Sequence, residues 1–316
     1  MRNSAFQILV LAGFALSPRG ALAITAGEGL QYLDAGNFKE AAEVFTKLSG
    51  AEAAACPKCL LYLSIALYRG GDYAAARTTV ETILSDVRQN SQAALGLGYG
   101  FLILTKQPDA TWLSNCLDRI EGLRGTTAED RLFLAQSALD ASSFKDYGIP
   151  LRGRLADALI QTLDGMLVES PKTKGARNAL GRAWVLKGEI LAGTAGEYAS
   201  VDEALDKARA CFKGEIEIED SAIYWHNYSV STRLLAERRL KEFWTLRPMA
   251  ASNDASVRLA KGALGLLEES LEHVKAAAKV SNATRYLDKI QRLQRTTESR
   301  LKNCKEDRNI RKVLGI

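Results

Sequence analysis

The chain has 316 residues, is 47% hydrophobic and 25% charged, and carries 42 lysines and arginines against 37 acids, a formal charge of +5. That apolar content can bury a sizeable core, and a charge so near neutral does not argue for nucleic acid as the partner. Five cysteines leave one thiol odd if the rest pair, and His226 and His273 show no ligand spacing, which speaks against a metal centre.

Residues 1–23 open with Arg2, carry the apolar run Ala5 to Leu16 and end Ala21-Leu22-Ala23, the small-x-small form of a signal-peptidase site. The expectation is an export signal cleaved after Ala23. The absence of acids would also suit a mitochondrial presequence, but the uninterrupted apolar core favours secretion. The run is too short for a membrane span, which needs about 20 apolar residues, and nothing later replaces it. The mature chain is therefore expected to be soluble, not membrane-spanning, in the periplasm or secreted. Cleavage takes the bases from 42 to 40 against the same 37 acids.

From Thr25 to Leu48, Gly29, Tyr32, Gly36, Phe38, Ala41 and Phe45 suit two antiparallel helices that cross closely, with the turn at Gly36-Asn37. Gly71-Asp72-Tyr73-Ala74-Ala75-Ala76 restates Gly36-Asn37-Phe38-Lys39-Glu40-Ala41 at an offset of 35, so a second helix pair spans Pro57 to Ser85. A third, Ser91 to Leu123, keeps small residues at Gly96, Gly98 and Gly100 and turns through Lys106-Gln107-Pro108-Asp109. Ala110 follows Ala76 by 34.

Past Gly125 the period drifts while helical patterning persists in Ala128–Ser142, Leu151–Val168, Ala176–Leu191, Val201–Phe212 and Ala222–Phe243. Leu180, Gly181, Trp184 and Gly188 have the form of another repeat's first helix, and Tyr224, Asn227, Tyr228 and Leu234 of one more. Ser256–Val280 and Asn282–Cys304 then read as two long helices. Leu259, Ala263, Leu267, Leu271 and Val274 make one stripe; Leu287, Ile290, Thr297, Leu301 and Cys304 make another at heptad-like spacing. A terminal hairpin that caps the array is expected, with a dimerisation coil as the alternative. The expected units are 1–23, 24–123 (repeats), 124–250 (degenerate repeats) and 251–316 (hairpin).

Residues Thr25 to Ser85, and more weakly on to Leu123, resemble the tetratricopeptide-repeat (TPR) family, in an exported bacterial-type form. The resemblance implies an all-α, right-handed solenoid of helix pairs whose members usually bind an extended peptide or a partner's helix in the concave groove. By position the groove would be lined by Leu30, Leu33 and Asp34, then Leu61, Ile65, Tyr68 and Arg69. This set departs from the basic, asparagine-containing clamp of chaperone-binding relatives. It suits an apolar peptide or amphipathic helix instead.

Cys56-Pro57-Lys58-Cys59 allows a local disulfide at a helix start, or thiol exchange. Tyr224-Trp225-His226-Asn227-Tyr228 gathers rings that either pack a helix crossing or meet a ligand, with Trp184 a further candidate. Trp112, Trp184 and Trp244 are otherwise read as packing residues. Asp202 to Asp220 carries seven acids against three bases, and Arg285 to Lys312 ten bases against four acids, so the basic end is either a solvated face or a contact for an anionic surface. Asn227-Tyr228-Ser229 and Asn282-Ala283-Thr284 are glycosylation sequons if the source is eukaryotic. A Gly-rich phosphate loop, paired carboxylates and a nucleophile elbow are all missing.

The sequence therefore reads as a non-enzymatic exported adaptor without cofactor, holding a protein or peptide partner in its groove. Two alternatives stand beside it. One is a small-ligand-binding component of an envelope uptake system, with a pocket lined by Tyr68, Trp184 and Trp225. The other is a thiol oxidoreductase at Cys56 and Cys59.

Overall fold

A computed structural model describes residues 25–315 apart from 52–55, 86–91, 121, 124–125, 142–146, 194–197 and 247–253. The expected export signal lies outside the described residues. Within them the fold is an all-α, TPR-like solenoid. Its first six helices are α1 (Ala26–Ala35), α2 (Phe38–Ala51), α3 (Cys59–Gly70), α4 (Tyr73–Ser85), α5 (Ala93–Leu104) and α6 (Ala110–Ile120). Then come α7 (Ala128–Ala141), α8 (Ile149–Glu169), α9 (Ala176–Ala192), α10 (Tyr198–Ile216), α11 (Ala222–Leu246) and α12 (Asp254–Lys279). A 3-10 turn (Ala283–Tyr286) leads into α13 (Leu287–Glu306), and α14 (Arg308–Leu314) ends the array.

The first two helix pairs form for the same local reasons. Gly36 and Gly71 stop α1 and α3 in the left-handed region, at φ 81° and 87°, which a side chain would strain. The next residues, Asn37 and Asp72, donate their backbone N–H back to the Tyr32 and Leu67 carbonyls at 2.8 and 3.0 Å, closing a Schellman turn that feeds the second helix. Asp72 also caps α4 by accepting the Ala75 N–H at 3.1 Å.

Close crossing of paired helices depends on missing side chains. A Cβ on Gly29 would stand 2.6 Å from the Phe45 ring, and one on Gly181 would stand 2.6 Å from the Phe212 ring. The α9–α10 pair therefore repeats the α1–α2 contact in the region where the sequence period has drifted. Gly98 serves a different purpose. Its missing Cβ, 2.5 Å from where Phe133 lies, admits α7 directly onto α5.

Each odd-numbered helix packs on the next odd-numbered one from α1 to α13, whereas the even-numbered helices hardly meet except α6 with α8 and α12 with α14. The tighter, inner side of the stack is thus built from odd-numbered helices. Cations tie neighbouring elements across roughly one repeat, as in Arg77–Asp109 at 2.8 Å, Arg154–Asp118 at 2.7 Å and Arg182–Asp140 at 2.8 Å. Each such exposed pair is worth well under about 1 kcal/mol, so they align the stack more than they stabilise it.

At the far end α12 and α13 pack together, Val274 and Ile290 sharing one buried cluster and Leu267 and Cys304 another. Ile290, Thr297 and Cys304 of the heptad-like stripe are buried inside this one chain. Leu287 departs from the stripe at 46% exposed, because it is the first residue after the 3-10 turn. The stripe is consumed internally and is not left as a coiled-coil seam. Ser229 and Ser270 bring α11 and α12 together, each hydroxyl donating to the other's backbone carbonyl at 2.8 and 2.9 Å.

Candidate functional site

An aromatic line crosses the odd-helix side. Tyr68 on α3 lies 5.7 Å from Tyr73 and 5.9 Å from Tyr99 on α5, and Tyr99 lies 5.3 Å from Phe133 on α7, centroid to centroid. Burial raises the phenol pKa of Tyr68, with Tyr73 adding to it, and burial also raises that of Tyr99. Both hydroxyls are therefore neutral donors at physiological pH. The line opens beside Phe133 into a cleft of about 720 Å³ between α7 and the α8–α9 turn. Leu132, Phe133 and Pro171 give this cleft apolar walls, while Gln136, Thr173 and Lys172 give it polar ones.

The expected groove residues divide into two sets. Leu33 and Leu61 are 6% and 3% exposed and pack between helices, so they are core residues and offer no binding surface. Each lies on the side of its helix that meets a neighbouring helix. Leu30, Ile65 and Tyr68 are half-buried, and Asp34 and Arg69 are exposed, so these five present atoms to solvent. Sequence reasoning missed Tyr99, Phe133 and the cleft. One signal was available, since Tyr99 and Phe133 stand 34 residues apart, at the repeat period.

The second cluster divides, with Trp225 and Tyr228 joining His273 in one stack of rings while Tyr224 and His226 turn elsewhere. Tyr224 is buried, its hydroxyl donating to Glu219 at 3.2 Å. Trp225 donates its indole N–H to Asp220 at 2.7 Å and lies 5.7 Å from the His273 ring. His273 in turn stacks on Tyr228 at 4.1 Å. His226 is tied to Asn227, which donates to Asn178 at 2.8 Å. Burial lowers the pKa of both histidines.

Trp184 lies under the Lys207 ammonium at 4.5 Å. Tyr68, Trp184 and Trp225, expected to line a pocket of an uptake component, sit on α3, α9 and α11, and none of them lines the cleft between α7 and the α8–α9 turn. Among the tryptophans read as packing residues, Trp112 is buried at 2% exposed, whereas Trp244 is 36% exposed.

Cys56 and Cys59 form a disulfide at the start of α3. Cys116, Cys211 and Cys304 are free thiols, pushed up by burial to about 12, about 11 and about 11. Such thiols hold their protons at neutral pH and are poor nucleophiles. Among the described residues no group of His, Cys, Asp and Glu is placed to hold a metal ion, and no helix is long and apolar enough to cross a membrane.

Both sequons have structural work. Asn227 donates its amide to Asn178, and Asn282 accepts the Ala222 N–H at 2.9 Å while donating to Ser221 at 3.0 Å. Asn282 therefore caps α11 from the far side of the terminal hairpin.

The helix pairs and the turns at Gly36 and Gly71 define a repeat solenoid, in general a protein-interaction scaffold. Residues 32–97 match the tetratricopeptide repeat family. No curated protein sequence matches the chain. Among solved structures, the TPR2AB domain of yeast Sti1 in complex with pHSP90 is 14% identical, covering 86% of this chain and 96% of that one, with a TM-score of 0.28. A human IFIT1 dimer with PPP-AAAA is 14% identical over 92% of this chain and 77% of its own, at a TM-score of 0.23.

Proposed function

We propose that the protein is a non-enzymatic, exported scaffold holding an extended segment of a protein partner on its odd-helix side, from Tyr68 and Arg69 to the α7–α9 cleft. One observation carries this reading. Tyr73, Tyr68, Tyr99 and Phe133 run ring to ring across three successive repeats into a cleft with apolar walls. A single groove-spanning segment could rest on the half-buried Tyr68, Tyr73 and Phe133 rings, with Tyr99, 6% exposed, packed beneath them as backing, and such rings give contact area at low entropic cost because few rotors need ordering. Arg69 and Asp34, exposed at the helix ends, supply charged markers of register. Export is supported by Arg2, the apolar run to Leu16 and Ala21-Leu22-Ala23.

Two experiments test the proposal. Amino-terminal sequencing of the protein recovered from its host should begin at Ile24, and an intact Met1 would remove the export claim. Tyr68→Ala with Arg69→Ala should lose the protein that co-purifies with the wild type while leaving the melting temperature close to it. Unchanged capture would place the partner elsewhere.

A further inference from the structure

We propose that the cleft where α6, α7 and α8 meet is a binding site for a small organic carboxylate, received by the Arg131 guanidinium. The site is separate from the partner groove and does not depend on it. Its origin lies in how the helices pair. Gly98 admits α7 onto α5, and α7 packs more extensively there than on α8, which also rests on α6 and α9. A space of about 480 Å³ is left, walled by Ile120, Leu123 and Arg131 on one side and by α8 on the other. The α8 wall is Ala158, Gln161, Thr162 and Gly165, spaced three and four residues apart so that they share one helix face. Small-molecule sites occupy roughly 300–1,000 Å³, and this cleft falls within that range.

The walls set the ligand's chemistry. Only 18% of the Arg131 side chain is exposed, and its Nη2 pairs with Glu169. Its Nε is buried and meets no acceptor, which folded proteins seldom leave so without a partner. Arg152, Arg233 and Arg238 also carry an unmet Nε, but none of these lines this cleft or the one beside Phe133. The unmet donor and the cleft therefore coincide at Arg131. Gln161 makes no hydrogen bond among the described residues, so its amide is free to donate as well. Thr162 gives its hydroxyl proton to the Ala158 carbonyl at 2.8 Å and keeps its lone pairs. None of the described lining residues is acidic.

A carboxylate meets these donors, because its two planar oxygens match the fork of a guanidinium. Ile120, Leu123 and Ala158 offer an apolar wall to the body that carries it. Glu169 already balances part of the arginine's charge, so a single negative charge fits better than the nearly two of a phosphate monoester.

The test titrates benzoate and isocaproate into the purified protein, without any partner, and follows binding by saturation-transfer NMR. Each is expected to bind with a dissociation constant on the order of 1 mM or below, as suits about ten non-hydrogen atoms. Each should also bind at least about tenfold more tightly than its neutral counterpart, benzyl alcohol or isohexanol. Arg131→Gln should abolish that preference. Gly165→Leu fills the cleft while sparing the fold, because a Cβ there meets nothing within 4 Å and replacing a helical glycine favours the helix. It should weaken binding at least about fivefold, with melting unchanged or raised. Glu169→Gln, which frees the guanidinium, should strengthen binding by about threefold, a gain that a purely structural Arg131 would not give. No binding of either carboxylate, equal binding of acid and alcohol, unchanged affinity in Gly165→Leu, or inorganic phosphate binding as tightly as the carboxylates would each overturn the assignment.

Discussion

Glu215, fully buried at the end of α10, accepts the backbone N–H of Gly175 at 2.7 Å and so caps α9, a helix whose own cap residue has no side chain to offer. Its second oxygen takes the Asn178 N–H at 3.1 Å. One carboxylate thus satisfies two of the unpaired donors at a helix start and joins α10 to the wall of the candidate cleft. Glu215→Ala leaves those donors buried and unmet. It should cost about 2–4 kcal/mol of unfolding free energy, read by urea denaturation. A loss below about 1 kcal/mol would mean that water replaces the cap.

The Gly181–Phe212 contact allows a test by sign. Gly→Ala in an exposed helix interior stabilises by about 1 kcal/mol, yet at Gly181 the new Cβ would stand 2.6 Å from the ring. Gly181→Ala is therefore expected to destabilise by about 1–3 kcal/mol. Phe212→Leu in the same chain should recover part of that loss. Additive losses in the double variant would contradict the contact.

The two histidines make stability fall toward acid. Burial holds His226 and His273 below the ordinary imidazole value of 6.5, so the unfolded chain binds protons more readily than the folded one. Their contribution is present above that value and is lost as pH falls from it through the lower folded pKa. Denaturation midpoints should drop between about pH 7 and 5, and His273→Gln should flatten the drop. Glu269, 3.9 Å from His273, opposes the shift, and Glu269→Gln should steepen the fall.

The Cys56–Cys59 bond closes a very short loop, so its removal should cost only about 2 kcal/mol. A double Cys→Ser variant is expected to melt slightly lower and to keep its partner. Loss of the biological function with folding intact would instead make the thiol pair the working part.

The first two repeats were legible because their cause is local. Gly36 and Gly71 must adopt positive φ, and Gly29 must yield to Phe45, so the residue types recur at a fixed period. The α9–α10 pair was partly legible through Gly181, for the same reason. What escaped reading joins residues 40 to 60 positions apart through single polar atoms: Glu215 with Gly175, Ser229 with Ser270 and Asn282 with Ala222. Hydrophobic periodicity carries no trace of such contacts. Leu33 and Leu61 were misplaced because repeat position identifies the helix but does not determine how closely the next helix covers it.

The central claim is that the odd-helix side holds a partner's chain, and site-specific photocrosslinking in the native host tests it most directly. A crosslinking residue at Arg69 or Lys172, both exposed on that line, is compared with one at Asp118 on α6. The account predicts one protein captured from Arg69 and Lys172 alike, through neighbouring stretches of its sequence, and not from Asp118. Capture from Asp118 alone, or no capture from either groove position while a control interaction crosslinks, would contradict it.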